Sequence, residues 1–305
     1  HLGEYYSLID LCLPGLLGEY DPFKSRVKLD DSPMLQVLIQ RTRPFVLRRM
    51  KGSVLADLPP KIETDLYLEL TSEQKLLYQE TVSLVSSQIN SAYREKTAEQ
   101  AKIIALTAIM KLRQLCVSPR LLSPALNAGA GASPKITFLI EQLQELYEEG
   151  HSALVFSQFT SGLDLLEEAL GSTGLPFCRL DGSTPTQKRK GLVKAFQEKE
   201  SPSVFLLSLK AGGQGLNLTK ASYVFHLDPW WNPAVENQAS DRAHRIGQKQ
   251  KVSIIRLLMR HTIEEKMMLL KKKKLALYEA VMGGENKVGT GYAISKVDFD
   301  FLLGG

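Results

Sequence analysis

The chain has 305 residues, of which 44% are hydrophobic and 23% are charged, and its formal net charge is +5. That length holds one large domain or two smaller ones, and no apolar run reaches the roughly 18 residues that a membrane span requires. The mildly basic charge is compatible with a nucleic-acid partner. The three cysteines are too few and too far apart for a disulfide framework or a metal site, which predicts a reduced, intracellular environment. Because the chain begins with His1 and no secretory signal, we expect a piece of a longer protein.

Residues 1–60 mix short apolar runs with turns, and a helix is predicted over residues 33–47. The pair Pro59-Pro60 then predicts a break in the chain. After this break, alternating apolar and polar residues predict a strand over residues 62–70.

A helical hairpin is predicted after this strand. Thr71 has the pattern of an N-cap, with Gln74 three positions later, and this pattern predicts the start of a long helix. A second helix is predicted over residues 98–116. We therefore assign residues 61–126 to one subdomain that contains the strand and the hairpin.

A spacer rich in Gly and Ala occupies residues 127–134, and helices and short apolar strands alternate over residues 135–260. Such alternation predicts an α/β fold, with a parallel sheet that carries helices on both faces. A last helix begins the C-terminal region of residues 261–305. The predicted strands are residues 153–156, 177–180, 204–209, 223–227 and 253–258, and the predicted helices are residues 135–149, 163–170, 186–197 and 263–281.

Polar and glycine residues follow four of the predicted strands, at the edge where parallel α/β sheets bind ligands. They are Ser157-Gln158 and the segments 179–184, 208–217 and 228–232. Glycines let the backbone approach a phosphate, and hydroxyl groups donate hydrogen bonds to it. Each residue taken singly is also typical of a turn or a helix cap, and it is their shared edge that favours a function.

Two arginines stand out near the end of this region. Residues 238–248 read Gln-Ala-Ser-Asp-Arg-Ala-His-Arg-Ile-Gly-Gln. On a helix, the spacing of Arg242 and Arg245 places both guanidinium groups on one face. Arginine binds phosphate oxygens bidentately and keeps its proton, so the pair suits a polyphosphate. The same spacing is also typical of a solvated helix face.

The run from residue 208 to residue 248 resembles motifs V and VI of the SWI/SNF family of ATP-dependent DNA translocases, within helicase superfamily two. Every fixed position of the family pattern Gln-x-x-Asp-Arg-x-His-Arg-Ile-Gly-Gln is present, and a weaker resemblance extends over nearly the whole chain. It implies an α/β, RecA-like second motor lobe over residues 135–260. It also implies that residues 1–60 are an N-terminal helical region containing the end of motor lobe one and the connector, and that the helical hairpin is an insertion.

The resemblance also implies roles for individual residues. Arg242 and Arg245 are expected to act as arginine fingers on ATP, which motor lobe one of the same polypeptide mainly holds, together with Mg²⁺. The implied nucleotide-binding residues are Gly213, Gln214, Gly215, Asn217 and Gln238. The residues implied to lie along double-stranded DNA are Ser157, Gln158, Arg179, Gly182, Ser183, Ser208, Lys210 and Trp231. No membrane and no oligomer is implied, and the expected location is the cytoplasm or nucleoid of a prokaryote or the nucleus of a eukaryote.

The sequence contains no Gly-x-x-x-x-Gly-Lys-Ser/Thr loop to cradle phosphates, so we expect this chain alone not to hydrolyse ATP. Glu148-Glu149-Gly150-His151 resembles a magnesium-binding helicase motif, but it is expected to end a helix with Gly150 as the C-cap, and a metal role is rejected. Two other functions stay open: a strand-separating helicase of the same superfamily, and a catalytically dead module that binds DNA or protein.

Overall fold

The computed structural model describes residues 2–26, 32–47, 58–95, 98–122, 133–212, 215–230, 233–282 and 301–302. The chain divides into two compact units, which we describe one at a time. The smaller unit contains residues 1–57 and 282–293, and the larger unit contains residues 58–281 and 294–305. Most of the predicted spacer at residues 127–134 lies outside the described residues.

The described part of the smaller unit is helical, as predicted for residues 1–60. Its helices are α1 (Leu2–Cys12), α2 (Tyr20–Arg26) and α3 (Ser32–Thr42). Phe23 of α2 and Leu38 of α3 are buried in one small apolar cluster. Helix α3 is shorter than predicted and passes into a 3₁₀ turn, because Pro44 has no N–H with which to continue the helical hydrogen bonds.

A six-stranded parallel sheet forms the centre of the larger unit, in the order β1-β6-β5-β2-β4-β3. Strands β2 and β4 are buried along their whole length, as expected for parallel strands covered on both faces. All six predicted strands are present. Their bounds are β1 (Lys61–Leu68), β2 (Ala153–Ser157), β3 (Phe177–Leu180), β4 (Val204–Ser208), β5 (Tyr223–His226) and β6 (Val252–Met259).

Helices cover both faces of this sheet, which confirms the predicted fold class. The inward side chains of α6 (Pro134–Glu148) and α7 (Thr160–Gly171) form one buried cluster with Val155 of β2. Leu154 of β2 points the other way, into a second cluster with residues of α8 (Thr186–Glu198) and α10 (Pro233–Ser240). A four-residue helix, α9 (Leu209–Gly212), directly follows β4.

The predicted hairpin is present as α4 (Ser72–Glu95) and α5 (Ala98–Val117), and it packs against α11 (Ile263–Met282). The predicted N-cap is confirmed, because the Gln74 N–H donates to Thr71 Oγ1 at 3.2 Å while Thr71 N donates to Gln74 Oε1 at 3.4 Å. None of the described helices is long and apolar enough to cross a membrane.

Candidate nucleotide and DNA sites

The carboxyl ends of β2, β4 and β5 lie together, as predicted. In the sheet register Ser157 pairs with Ser208, and Phe156 pairs with His226. Asp228, two residues beyond β5, accepts a hydrogen bond from the Ser157 hydroxyl at 2.5 Å and one from Gln158 N at 3.3 Å. The loops that follow β2 and β5 are therefore joined through the Asp228 carboxylate.

Ser157 and Ser208, two of the residues predicted to lie along DNA, have buried side chains. The Ser157 side chain is completely buried, and its oxygen also accepts a hydrogen bond from Phe159 N at 3.0 Å. Ser208 is 5% exposed, and its Oγ accepts from Ala211 N at 3.3 Å at the start of α9. Both hydroxyls hold their loops in place and have little or no surface to offer a phosphate.

Arg179, another predicted DNA residue, lies among three acidic side chains. Its guanidinium forms ion pairs with Asp164 at 2.6 Å, Glu167 at 2.8 Å and Asp181 at 2.8 Å. Partial burial opposes its charge, but the hydrogen bonds to these three carboxylates outweigh that effect and raise the pKa of Arg179. A cation surrounded by three anions presents no net positive charge to a DNA backbone.

We therefore predict that Arg179→Ala leaves the affinity of the chain for duplex DNA within about twofold, since a phosphate contact would cost more than that. The measurement is a titration of a fluorescent duplex, and Lys210→Ala is the comparison, because Lys210 is an exposed cation beside the same edge. A loss for Arg179→Ala that equals or exceeds the loss for Lys210→Ala would show that the three carboxylates do not occupy this arginine.

The remaining predicted DNA residues differ in their exposure. Gly182 and Ser183 are exposed in the turn after β3, and a Cβ at Gly182 would meet no atom within 4 Å. Asp181 shapes this turn, since its Oδ1 accepts from Ser183 N at 2.8 Å. Gln158 is half-buried, and Trp231 lies outside the described residues.

The arginine pair does not lie on a helix, so the shared helix face considered for it is not formed. Helix α10 ends at Ser240, and residues 241–247 form successive turns. Arg242 is 6% exposed, its carbonyl accepts from Leu218 N at 3.0 Å, and its Nε has no hydrogen-bond partner within the described parts of the chain. Burial, followed by the nearby charge of Arg245, lowers the pKa of Arg242. Arg245 is exposed, and within those same parts neither arginine forms an ion pair.

The arginines lie near the amino ends of the strands, away from the loops at the carboxyl edge. Gln248 Nε2 donates to Ala221 O at 2.9 Å, just before β5, and His244 Nε2 lies 2.8 Å from Pro59 O, just before β1. The structure therefore separates the predicted nucleotide residues from the predicted DNA residues.

The described nucleotide residues share this neighbourhood. Asn217 is exposed and precedes Leu218, whose N–H donates to the carbonyl of Arg242. Gly215 has φ +61°, which favours glycine, and Gln238 is exposed in the last turn of α10. Gly213 and Gln214 lie outside the described residues.

Two family models match the chain. A SNF2-related domain matches residues 1–121, and a helicase conserved C-terminal domain matches residues 134–247, which includes both arginines. A putative ATP-dependent helicase/translocase of Bacillus subtilis is 37% identical, with 93% of this chain and 32% of that protein aligned. The human SWI/SNF-related regulator of chromatin subfamily A member 1 is 35% identical over 92% of this chain and 28% of its own length.

Solved structures similar to this chain point to the same family as the sequence matches. The C-terminal domain of a Sulfolobus solfataricus SWI2/SNF2 ATPase is 31% identical, with 72% of this chain and 89% of that chain covered and a TM-score of 0.59. The chain belongs to the SWI/SNF family. The Sulfolobus solfataricus SWI2/SNF2 core solved in complex with double-stranded DNA is 30% identical, with a TM-score of 0.65, and covers 97% of this chain and 63% of that chain. This SWI/SNF chain spans about a third or less of the length of the curated relatives it matches.

Buried charged side chains are the part of this SWI/SNF chain that sequence reasoning missed. Glu236 of α10 is completely buried, forms an ion pair with Arg256 of β6, contacts Lys271 at 3.3 Å and accepts from Trp230 N at 3.1 Å. Burial alone would raise the pKa of Glu236, but the surrounding positive charges lower it to about 2. This carboxylate fixes α10, and with it the segment that leads into the arginine pair.

Arg113 was missed as well. It lies in α5 and is only 2% exposed, although its guanidinium reaches the loops that follow β2 and β5. The available signal was the Arg itself, a charged residue inside the predicted second helix of the hairpin. Polar residues are common on helices, however, so the sequence does not identify which of them is buried.

Proposed function

We propose that this chain is the C-terminal half of an ATP-dependent translocase that acts on double-stranded DNA, and that it supplies Arg242 and Arg245 to a nucleotide held mainly by motor lobe one. The observation that carries the proposal is the Arg242 guanidinium, which is 6% exposed and has a buried Nε without a partner in the described structure. A buried cationic donor that lacks an acceptor is costly, and an anion would remove that cost.

The neighbourhood of Arg242 supports a polyphosphate as this anion. Arg245 adds a second guanidinium three residues away, and its positive charge contributes to the lowered pKa of Arg242. Two cations held close together repel each other until an anion lies between them. Asn217 and Gly215 lie on the segment beside them, where they would contact the same nucleotide.

Bound ATP with Mg²⁺ would supply the phosphoryl group for transfer. Arg242 and Arg245 would donate hydrogen bonds to its oxygens, where negative charge develops in the transition state. The turns that carry the arginines are fixed by Gln248 and His244, so the donors are in position before the reaction. Preorganised donors stabilise a transition state more effectively than mobile ones.

DNA binding is proposed for the carboxyl edge of the sheet, through the exposed Gly182, Ser183 and Lys210. The Ser183 hydroxyl already donates to Asp181 Oδ1 at 2.6 Å, so the donors proposed for phosphates are the backbone at Gly182 and the Lys210 ammonium group. Neither reads bases, so binding should be independent of sequence and sensitive to salt. The archaeal SWI2/SNF2 core solved with double-stranded DNA supports this part of the proposal.

The chain by itself is expected to show no ATP turnover, with or without duplex DNA, because its sequence has no loop that cradles the phosphates. The measurement is phosphate release by the purified chain. A parallel duplex titration serves as the control for correct folding. DNA-stimulated turnover by the chain alone would place the phosphate-binding residues within it and would contradict the division of the site between two lobes.

A strand-separating helicase is the second candidate, because the relatives from Mycoplasma pneumoniae and Bacillus subtilis are described as ATP-dependent helicases. A strand-displacement assay on the complete enzyme separates the two functions. The proposal predicts displacement of a bound protein or third strand from a duplex, without separation of the duplex strands. A third possibility is a catalytically dead module, which would bind the duplex but would show no turnover in the complete protein.

A further inference from the structure

We infer that His244 is a positioning residue, through which the segment Leu58-Pro59-Pro60 controls where Arg242 and Arg245 lie. The inference rests on the arginine part of the proposed function and adds a means of control to it. The resemblance described above assigns residues 1–60 to the end of motor lobe one and the connector. The segment would therefore link the arginine pair to the stretch of chain that arrives from that lobe.

A hydrogen bond joins the connector segment to the arginine turns directly. His244 Nε2 lies 2.8 Å from Pro59 O, although the two residues are 185 positions apart in sequence. A carbonyl oxygen can only accept, so Nε2 carries the proton and donates it. Both residues are half-buried and both belong to the larger unit, so the contact lies within one compact unit.

The direction of the Pro59 carbonyl is set by the two prolines. The ring of Pro59 restricts its own φ, and the ring of Pro60 restricts the ψ of Pro59 to extended values. Pro60 O then accepts from Val252 N at 3.2 Å, which attaches the segment to the first residue of β6. His244 therefore donates to an acceptor whose direction is restricted on both sides.

Backbone hydrogen bonds connect His244 to its neighbour Arg245. The N–H of His244 donates to Ser240 O at 3.2 Å, at the end of α10, and Arg245 N donates to Ala243 O at 3.2 Å. Gln248 N in turn donates to Arg245 O at 2.9 Å. Because these bonds close short turns, a displacement of His244 is passed to the backbone of Arg245.

The position of the Arg245 guanidinium depends on this backbone. Arg245 is exposed, and its side chain forms no ion pair with the residues that the structure describes. Phosphoryl transfer is sensitive to the placement of such a group, since an error of about 1 Å can cost about a hundredfold in rate. The hydrogen bond from His244 to Pro59 would thus make the geometry of the arginines depend on the position of the connector segment.

The test uses the complete ATPase and three changes. His244→Phe keeps a ring but removes the donor, whereas His244→Gln offers an amide N–H at a similar reach. The combined Pro59→Ala and Pro60→Ala variant keeps the acceptor and frees its direction. His151→Phe is the matched control, because His151 is also half-buried and its Nδ1 lies 2.9 Å from Ser222 Oγ, outside the arginine turns. DNA-stimulated kcat, KM for ATP, duplex affinity and thermal unfolding are measured for each protein.

We expect His244→Phe and the two-proline variant to lower kcat by about 10–100-fold, while KM for ATP and duplex affinity stay within about twofold of the wild type. His244→Gln should keep most of the wild-type kcat, and His151→Phe should keep all of it. Adding the proline changes to His244→Phe should cause no further loss of kcat, because the link on which they act is already broken.

Three results would each overturn the inference: equal losses in His244→Gln and His244→Phe, a wild-type kcat in the two-proline variant, or additive losses when the changes are combined. Should His244→Phe fold too poorly for assay, the two-proline variant decides, since it must still lower kcat. Arg245→Ala tests the proposed function separately. Near-normal turnover in Arg245→Ala would overturn the role of the arginines, whereas a large loss there with a wild-type kcat in His244→Phe would overturn this inference alone.

Discussion

Replacing Arg245 with alanine in the complete ATPase is expected to lower DNA-stimulated ATP turnover by about 10³–10⁵-fold, the loss found when an arginine finger is removed from a phosphoryl-transfer site. Duplex binding is expected to stay nearly unchanged. The reason is structural, because the arginine pair lies near the amino ends of β1 and β5, whereas the exposed DNA residues lie at the carboxyl edge. A variant that affects one site should therefore leave the other intact.

The matched control is Lys249→Ala, which removes an exposed cation four residues beyond Arg245. Its turnover should equal that of the wild type, which would exclude a general effect of local positive charge. Arg242→Ala is expected to lose turnover as well, although it also removes a largely buried side chain, so its unfolding should be measured alongside. Near-normal turnover for Arg245→Ala would remove this arginine from the mechanism.

The second large effect is expected at the buried ion pair between Lys135 of α6 and Glu264 of α11. Both side chains are completely buried, and their charged atoms are 2.7 Å apart. Lys135 Nζ also donates to Leu227 O at 2.8 Å, and Glu264 accepts from Met259 N at 2.9 Å. The pair therefore joins two helices to the ends of β5 and β6, close to the carboxyl edge.

Lys135→Met is expected to lower the free energy of unfolding by about 3–5 kcal/mol, because it leaves the Glu264 carboxyl buried without its cation. Burial already raises the pKa of Glu264, and Lys135 is the main charge that opposes this effect. Adding Glu264→Leu to Lys135→Met should recover much of the loss, since an apolar pair carries no unpaired charge. Denaturant unfolding followed by circular dichroism measures each value.

Glu168→Gln is the control for this series, because it breaks the exposed pair with Arg120, which water screens, and it should change the stability little. If Lys135→Met were no more destabilising than Glu168→Gln, the buried pair would not contribute to the free energy of unfolding in the way that its geometry indicates. Equal losses in the single and combined variants would show instead that the lost packing, and not the unpaired charge, accounts for the effect.

The sheet could be predicted from the sequence because its strands are short apolar runs bounded by turns. Residues 177–180 were predicted as a strand and are β3, and residues 153–156 form all but the last residue of β2. Gly150, predicted as a C-cap, follows α6 with φ +84°, so the acidic residues before it end a helix as expected. Short apolar runs and a glycine that ends a helix act through residues adjacent in the sequence, so the sequence alone predicts them.

The hairpin was predicted correctly as two helices, but a helical pattern alone does not show which of its apolar residues are buried. Val85 and Ile109 are buried, whereas Leu84 and Ile103 are 66% and 64% exposed. Leu84 lies next to the buried Val85 in the sequence, and Ile103 lies next to the half-buried Ile104. Which of two adjacent apolar residues is buried depends on where α11 packs, and periodicity within one helix does not contain that information.

The candidate sites depended on distant contacts that a motif cannot show. Arg179 occupies a motif position suited to a phosphate, but its acidic partners Asp164 and Glu167 come from α7. Helix α10 ends at Ser240, before both arginines, and the Ser240 hydroxyl lies 2.9 Å from His226 Nε2. Contacts with other helices and strands, between residues 12 to 15 positions apart in sequence, thus decide the conformation at both places.

Arg242 and Arg245 are proposed to stabilise the charge that develops on a nucleotide held by another lobe. The most direct measurement is the affinity of the complete ATPase for two ligands: ADP alone, and ADP with aluminium fluoride, which mimics the transferring phosphoryl group. Both affinities are measured for the wild type and for the variant that combines Arg242→Ala with Arg245→Ala. The wild type is predicted to bind the mimic at least about 100-fold more tightly than ADP, as enzymes bind transition-state analogues. The variant is predicted to lose this preference while keeping its affinity for ADP and for duplex DNA. A variant that still prefers the mimic as strongly as the wild type would contradict the role proposed for the two arginines.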